Sequence, residues 1–256
     1  MQTKWALGGR GLALAALALS VAVPAAADDA AVRRRIEGRL EKAGLDRSGD
    51  IRVEVRGGAA VLDGAVTTVH DRQRAGKAAR KETKQVENRL KVLPERRSDS
   101  QIRREAQGAI LGYTYYGVFD SVELGVEDGV VLLQGSVRHE GRRRDIEERV
   151  ARLAGVREIV NELQVQSVSS FDDQLRGQLY RAIYLNDQFF HWSRGVHPPV
   201  RIVVDRGRIT LTGYVPTAMD KQLVGHIARS TSAFAVDNRV KVDGEEEKER
   251  AKTARS

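Results

Sequence analysis

One frame recurs three times along this chain, and it dictates a fold built from three copies of a small unit. Each copy has three alternating apolar residues, a turn glycine, a strand with a second glycine, and a distant asparagine inside another apolar alternation. The first copy carries Ile51, Val53, Val55, Gly58, Leu62, Gly64 and Val66, then Val86, Asn88, Leu90 and Val92. The second carries Val122, Leu124, Val126, Gly129, Leu133, Gly135 and Val137, then Ile159, Asn161, Leu163 and Val165. The third carries Val200, Ile202, Val204, Gly207, Leu211, Gly213 and Val215, then Val236, Asn238, Val240 and Val242. The asparagine falls 24, 26 and 25 residues after the strand glycine. Register kept over about 70 residues per copy marks one supersecondary unit used repeatedly. It also speaks against an enzyme, because no copy carries reactive residues that the others lack.

Each unit reads as helix, hairpin, helix, strand. Val32, Ile36, Leu40 and Ala43 lie on one helical face, with Asp28 or Asp29 as cap and Gly44 as a left-handed end. Ile102, Ala106 and Ile110 repeat the pattern after Ser98 to Ser100, and Leu175, Leu179 and Ile183 repeat it after Ser170-Phe171-Asp172-Asp173, which resembles a capping box. Gly58, Gly129 and Gly207 supply the positive φ of tight hairpin turns. Gly64, Gly135 and Gly213 inside the return strand mark a bulge or a close backbone approach. The second helices present Ala75, Ala78 and Ala79 with Gly76; Ile146, Val150 and Leu153; and Leu223 or Val224 with Ile227 and Ala228. The expected class is α+β: three tandem units, each a three-stranded mixed sheet with two helices on one face. Asn88, Asn161 and Asn238 belong to its structural frame.

The chain has 256 residues and no cysteine, so thiol catalysis and cysteine metal sites are excluded. Lys4 and Arg10 precede an apolar stretch of 12 residues, Leu12 to Val23, too short to span a bilayer. Ala25-Ala26-Ala27 fits a cleavage site, so residues 1–27 read as a signal peptide and the processed protein as periplasmic. Units are expected at 28–95, 98–167 and 170–243, followed by a charged, disordered tail at 244–256. The net charge is +8, and removing Lys4 and Arg10 leaves +6. It is uneven: +6 for 28–97, −3 for 98–167, +3 for 168–243 and zero beyond. Such a surface favours anionic partners, and export makes nucleic acid the least fitting of them.

At the turn glycine, the strand glycine and the Val/Ile-x-Asn-x-Leu/Val-x-Val ending, the chain resembles a tandem of three BON domains, covering roughly residues 30–243. The second copy is the most typical, with Leu153-Ala154-Gly155-Val156 leading into its last strand. The first has Glu82-Thr83 in place of Gly-Val, and the third has Ser232-Ala233. The resemblance implies a periplasmic or envelope binding module that touches anionic phospholipid and serves envelope integrity or osmotic stress tolerance. It brings no catalytic residues, no cofactor and no metal.

Two surfaces are candidates for lipid or partner binding. One is basic: Arg33, Arg34, Arg35 and Arg39 on the first helix, with Lys77 and Lys81 on the second. The other is aromatic and basic: Arg176, Tyr180, Arg181, Tyr184, Phe189, Phe190, Trp192 and Arg194 in repeat three. Rings beside arginines suit a membrane interface. The alternative is that these rings fill cores or pack one repeat on the next, because small domains need bulky core residues. Arg142, Arg143 and Arg144 stand beside Asp145, Glu147 and Glu148, which neutralise that stretch. The five histidines form no ligand pattern. The expected function is non-catalytic binding of anionic phospholipid; the alternative is a protein-interaction module docking on an envelope partner or on itself.

Overall fold

A computed structural model describes residues 25–45, 49–193, 195 and 197–244. The expected export segment, except Ala25 to Ala27, and the tail beyond Gly244 lie outside the described residues. Repeat one comprises α1 (Ala25–Lys42), β1 (Gly49–Arg56), β2 (Ala59–Val66), α2 (Val69–Ala79), β3 (Val86–Asn88) and β4 (Lys91–Val92). Repeat two comprises α3 (Asp99–Leu111), β5 (Ser121–Glu127), β6 (Val130–Val137), α4 (Glu140–Ala151), β7 (Glu158–Asn161) and β8 (Gln164–Val165). Repeat three comprises α5 (Ser170–Tyr184), the short α6 (Phe190–Ser193), β9 (Val200–Asp205), β10 (Arg208–Val215), α7 (Ala218–Arg229), β11 (Ala235–Asn238) and β12 (Lys241–Val242).

The return strand is central in every unit. β2 pairs antiparallel with β1 and parallel with β3 and β4; β6 and β10 do the same in their repeats. The sheet is mixed, as expected, but its third position is filled by two short segments. The asparagine causes the break. Its side-chain oxygen accepts the N–H two residues on: Asn88 from Leu90 at 3.2 Å, Asn161 from Leu163 at 3.2 Å and Asn238 from Val240 at 3.3 Å. This local turn takes the place of ladder bonding there.

The hairpins turn on two residues with positive φ: Gly57 and Gly58 at 58° and 78°, Asp128 and Gly129 at 49° and 74°, Arg206 and Gly207 at 49° and 72°. That is the geometry whose twist matches the flanking strands. The strand glycines owe their identity to close approach. A Cβ on Gly64, Gly135 or Gly213 would sit 1.8, 2.2 or 2.0 Å from the carbonyl oxygen of Asp50, Ser121 or Pro199.

A carboxylate at the start of each first helix holds the turn. Asp29 accepts the N–H groups of Gly57 and Gly58, both at 2.7 Å. Asp99 accepts those of Asp128 and Gly129 at 2.9 and 3.0 Å, and Asp172 those of Arg206 and Gly207 at 2.9 and 2.7 Å. Asp28 or Asp29 was expected to cap α1, but the helix begins ahead of both. Among the serines before α3, Ser98 is the cap, in a closed box with Gln101. The box expected at Ser170 to Asp173 does not form, because α5 is capped one residue earlier, by Ser169, whose hydroxyl accepts the Asp172 N–H.

One apolar cluster runs through repeats one and two, and a second fills repeat three with Val118 of repeat two attached. β9 departs from alternation: Val200 through Val204 are all buried. Repeat two covers its outer side, where Ile202 N–H donates to Val118 O at 2.8 Å and Arg201 lies 4.7 Å from the centre of the Tyr116 ring.

Gly135→Ala is expected to cost about 3 kcal/mol or more, since strain and a backbone overlap must both be relieved. Gly108→Ala, within α3 with open space around it, is expected to gain about 0.5–1 kcal/mol. Chemical denaturation of the two variants checks the pair, and equal stabilities would contradict the close-approach account.

Candidate anion-binding cleft

The basic residues of repeat one and the arginines of α4 meet in one open cleft of about 670 Å³. Arg39, Lys42 and Ala43 from the end of α1 line one wall. His70, Gln73, Arg74, Lys77, Ala78 and Lys81, on α2 and just beyond it, line a second. Arg144, Glu147, Glu148 and Arg152, on α4 and at its end, line the third. Seven basic side chains therefore face two carboxylates, with His70 among them.

Neither carboxylate forms an ion pair with a lysine. Glu147 accepts the Gln73 side-chain N–H at 3.0 Å and the Asn161 amide at 2.8 Å. Glu148 pairs with Arg152, four residues on. Arg39 pairs with Glu82, and Arg74 lies 3.6 Å from Asp71. Lys42, Lys77, Lys81 and Arg144 have no carboxylate partner among the described residues.

Glu147 owes its position to a change in the repeated frame. In repeats one and three, the strand asparagine donates to a helix carbonyl: Asn88 to Arg72 O and Asn238 to Lys221 O, both at 2.8 Å. Gly76 and Gly225 make room, since a Cβ there would lie 2.9 or 2.5 Å from the asparagine nitrogen. The matching residue in repeat two, 12 after the strand glycine in every copy, is Glu147. Its carboxylate takes the Asn161 hydrogen, and the carbonyl contact to Arg143 lengthens to 3.4 Å. The same carboxylate then reaches Gln73, so one residue joins repeat two to repeat one.

The expected residues divide. Arg39, Lys77 and Lys81 line the cleft. Arg33, Arg34 and Arg35 are exposed on α1 away from its lining; Arg33 lies 3.7 Å from Glu37 and Arg35 3.0 Å from Glu82. The aromatic surface of repeat three requires correction. Arg176, Tyr184, Phe189 and Trp192 are buried and present no surface to a membrane. Arg176 donates to Gln166 Oε1 at 2.9 Å and to the Val204 carbonyl. Tyr184 donates to the Val200 carbonyl, and burial holds its hydroxyl well above the ordinary tyrosine range. Phe189 stacks on Trp192 at 4.2 Å inside the core. Tyr180 packs on Phe119 of repeat two at 6.3 Å, and Arg181 is exposed. Arg194 and the Phe190 side chain lie outside the described residues. These rings fill a core and join repeats two and three.

His70 reports the field in the cleft. Burial lowers its pKa from the ordinary 6.5, and Arg152 and Arg74 push the same way, against Glu148 and Asp71. Among the described residues, no group of three or more histidine or carboxylate side chains is placed to hold a metal ion.

The BON domain model matches three times, at residues 28–94, 98–167 and 172–244. The chain belongs to the BON domain family. BON domains are envelope-associated binding modules, and the family is non-enzymatic. A comparison with curated proteins gives no match. Among solved structures, the chain is similar to CdsD, a structural protein of the type III secretion system of Chlamydia trachomatis. The identity is 16% over 87% of this chain and 97% of that one, with a TM-score of 0.25. It is also similar to the periplasmic domain of the type III inner-membrane protein PrgH from S. typhimurium, at 12% identity over 79% and 98%, with a TM-score of 0.21. Neither likeness reaches a level that transfers function.

Two outcomes follow from this geometry. The unfolded chain binds a proton at His70 below pH 6.5 while the folded chain resists it, so stability falls as pH drops from 6.5 through the lowered folded value. His70→Gln is expected to flatten that slope in denaturation midpoints measured across the window. A double-mutant cycle between Gln73→Ala and Glu147→Ala is expected to give about 0.5–1.5 kcal/mol of coupling. Additive effects would mean that the inter-repeat bond contributes nothing.

Proposed function

We propose that this is an exported, non-catalytic envelope protein that binds anionic phospholipid through the helical layer of repeat one and supports envelope integrity. The observation that carries the reading is the cleft, where seven cations converge and four of them, Lys42, Lys77, Lys81 and Arg144, have no carboxylate partner among the described residues. Each basic residue held near an anionic surface contributes about 1 kcal/mol, and salt screens it. Arg33 and Arg34, exposed on α1, extend the same charge outward. Cleavage near Ala27 leaves Asp29 in the processed chain, so the turn of repeat one keeps its clamp. The family fits a periplasmic or envelope location, and among the described residues no helix is long and apolar enough to cross a membrane.

A second reading, docking on an envelope protein or on another copy, is favoured by repeat three. Phe234 stacks on Phe171 at 5.4 Å and is 77% exposed, beside the turn at Gly207. Val168, on the linker into α5, is 97% exposed.

Flotation of residues 28–256 with liposomes separates the two. Binding to anionic and not zwitterionic liposomes, lost at high salt, is expected. No binding at low salt would overturn the lipid reading, and a Phe234→Ser change that abolished recovery of a crosslinked partner would then support the second.

A further inference from the structure

We propose that the cleft between α1, α2 and α4 is a site for an anion carrying two phosphate groups, held jointly by repeats one and two. The proposal deepens the anionic-surface reading and rests on it for the charge of the ligand. Four cations carry it: Lys42 at the end of α1, Lys77 on α2, Lys81 just past it, and Arg144 on α4. None of the four has a carboxylate partner among the described residues.

The wall carboxylates cannot serve them. Both Glu147 oxygens are engaged, one by Gln73 and the other by Asn161, and Glu148 is held by Arg152. Four cations without an ion-pair partner set against the one unpaired charge of Glu147 leave the concavity net positive, which focuses field lines and concentrates small anions there. Placement then sets the class of anion. Lys77 stands in the last turn of α2 and Lys81 just past its end, both on the same wall of the cleft. Lys42 and Arg144 stand on the other two. Donors on three separate helical elements match two charged centres joined by a short bridge better than a single one. Arginine adds a planar fork that meets phosphate oxygens two at a time, and the lysines act as point charges. The volume, about 670 Å³, lies within the ordinary range of ligand clefts. Two sources supply this chemistry: a soluble diphosphate, or a lipid headgroup bearing two phosphates.

The test uses residues 28–256, with inorganic phosphate and inorganic pyrophosphate as soluble probes, followed by calorimetry and by NMR titration of His70. Pyrophosphate is expected to bind at least about tenfold more tightly than phosphate. Lys77→Gln with Lys81→Gln is expected to cost about tenfold or more in pyrophosphate affinity, and Arg144→Gln, from the other repeat, a similar factor. Arg208→Gln, exposed on β10 of repeat three and outside the lining, leaves it unchanged. Bound pyrophosphate is also expected to raise the pKa of His70, which faces Asp71 and Arg74 from α2, Glu148 and Arg152 from α4, and Arg39 and Lys42 from α1. Equal affinity for the two probes, or affinity insensitive to both lining variants while thermal melts stay unchanged, overturns the proposal.

A parallel arm floats the protein on phosphatidylcholine vesicles containing cardiolipin, with pyrophosphate as competitor. Displacement assigns the site to a lipid source; cleft binding of pyrophosphate without displacement assigns it to a soluble one. Salt-sensitive flotation that the lining variants leave intact, with no pyrophosphate binding at the cleft, would sink this proposal and keep the lipid reading. Pyrophosphate binding without any flotation would do the reverse.

Discussion

Two backbone N–H groups delivered to one carboxylate hold each unit of this protein together. A tight turn with both central residues at positive φ points its amides outward, where they have no ladder partner. Asp29, Asp99 and Asp172 collect them, and a hydrogen bond to a charged acceptor is about twice as strong as a neutral one. The bond ties the start of the first helix to the far end of the hairpin. Once that helix is fixed across the sheet, the second helix has one remaining place, beside it on the same face. The helical layer, and every basic side chain it displays, follows from that placement.

The second latch is the strand asparagine. Its oxygen shapes the break in the outer strand and its nitrogen reaches into the second helix, so a single residue fixes strand and helix together. Glycine in the helix permits the direct bond to a carbonyl in two copies. Glutamate in the remaining copy lengthens the reach of the latch, and its second oxygen extends beyond the unit to Gln73. The cleft wall and the joint between repeats therefore have one origin. The joint between repeats two and three is of another kind, made of rings and of a strand buried on both sides.

Much of this was legible in the sequence. The repeated frame carried three units, a mixed sheet and both sets of glycines, because the second turn position takes positive φ and a Cβ on the strand glycine would fall 1.8 to 2.2 Å from a carbonyl oxygen. The aspartate clamp was not legible. It lies 29, 30 and 35 residues before the turn glycine, since the loop between helix and hairpin varies in length, so no fixed spacing exposes it. The aromatic corner of repeat three stood open between membrane surface and core, because adjacency to arginine in sequence does not say which way a ring points; the buried Tyr184, Phe189 and Trp192 fit the core alternative. The cleft was half legible: the cations of repeat one stood out, but Arg144 and Arg152 were hidden by acidic neighbours along the chain. In space those neighbours are turned to Gln73, Asn161 and Arg152. The substitution at position 147, in register with Gly76 and Gly225, was the available sign.

Tandem copies joined only by linkers behave as beads, each free to tumble and each presenting its charge separately. The apolar cluster shared by the first two repeats, with Glu147 bonded across their edge, makes these two beads a single body with a concave side that neither possesses alone. Affinity for a ligand seated there is then a property of the pair, inherited from their mutual orientation. Separating the first two repeats would expose the cluster they share and abolish the concavity, so the smallest working piece of this protein is the pair.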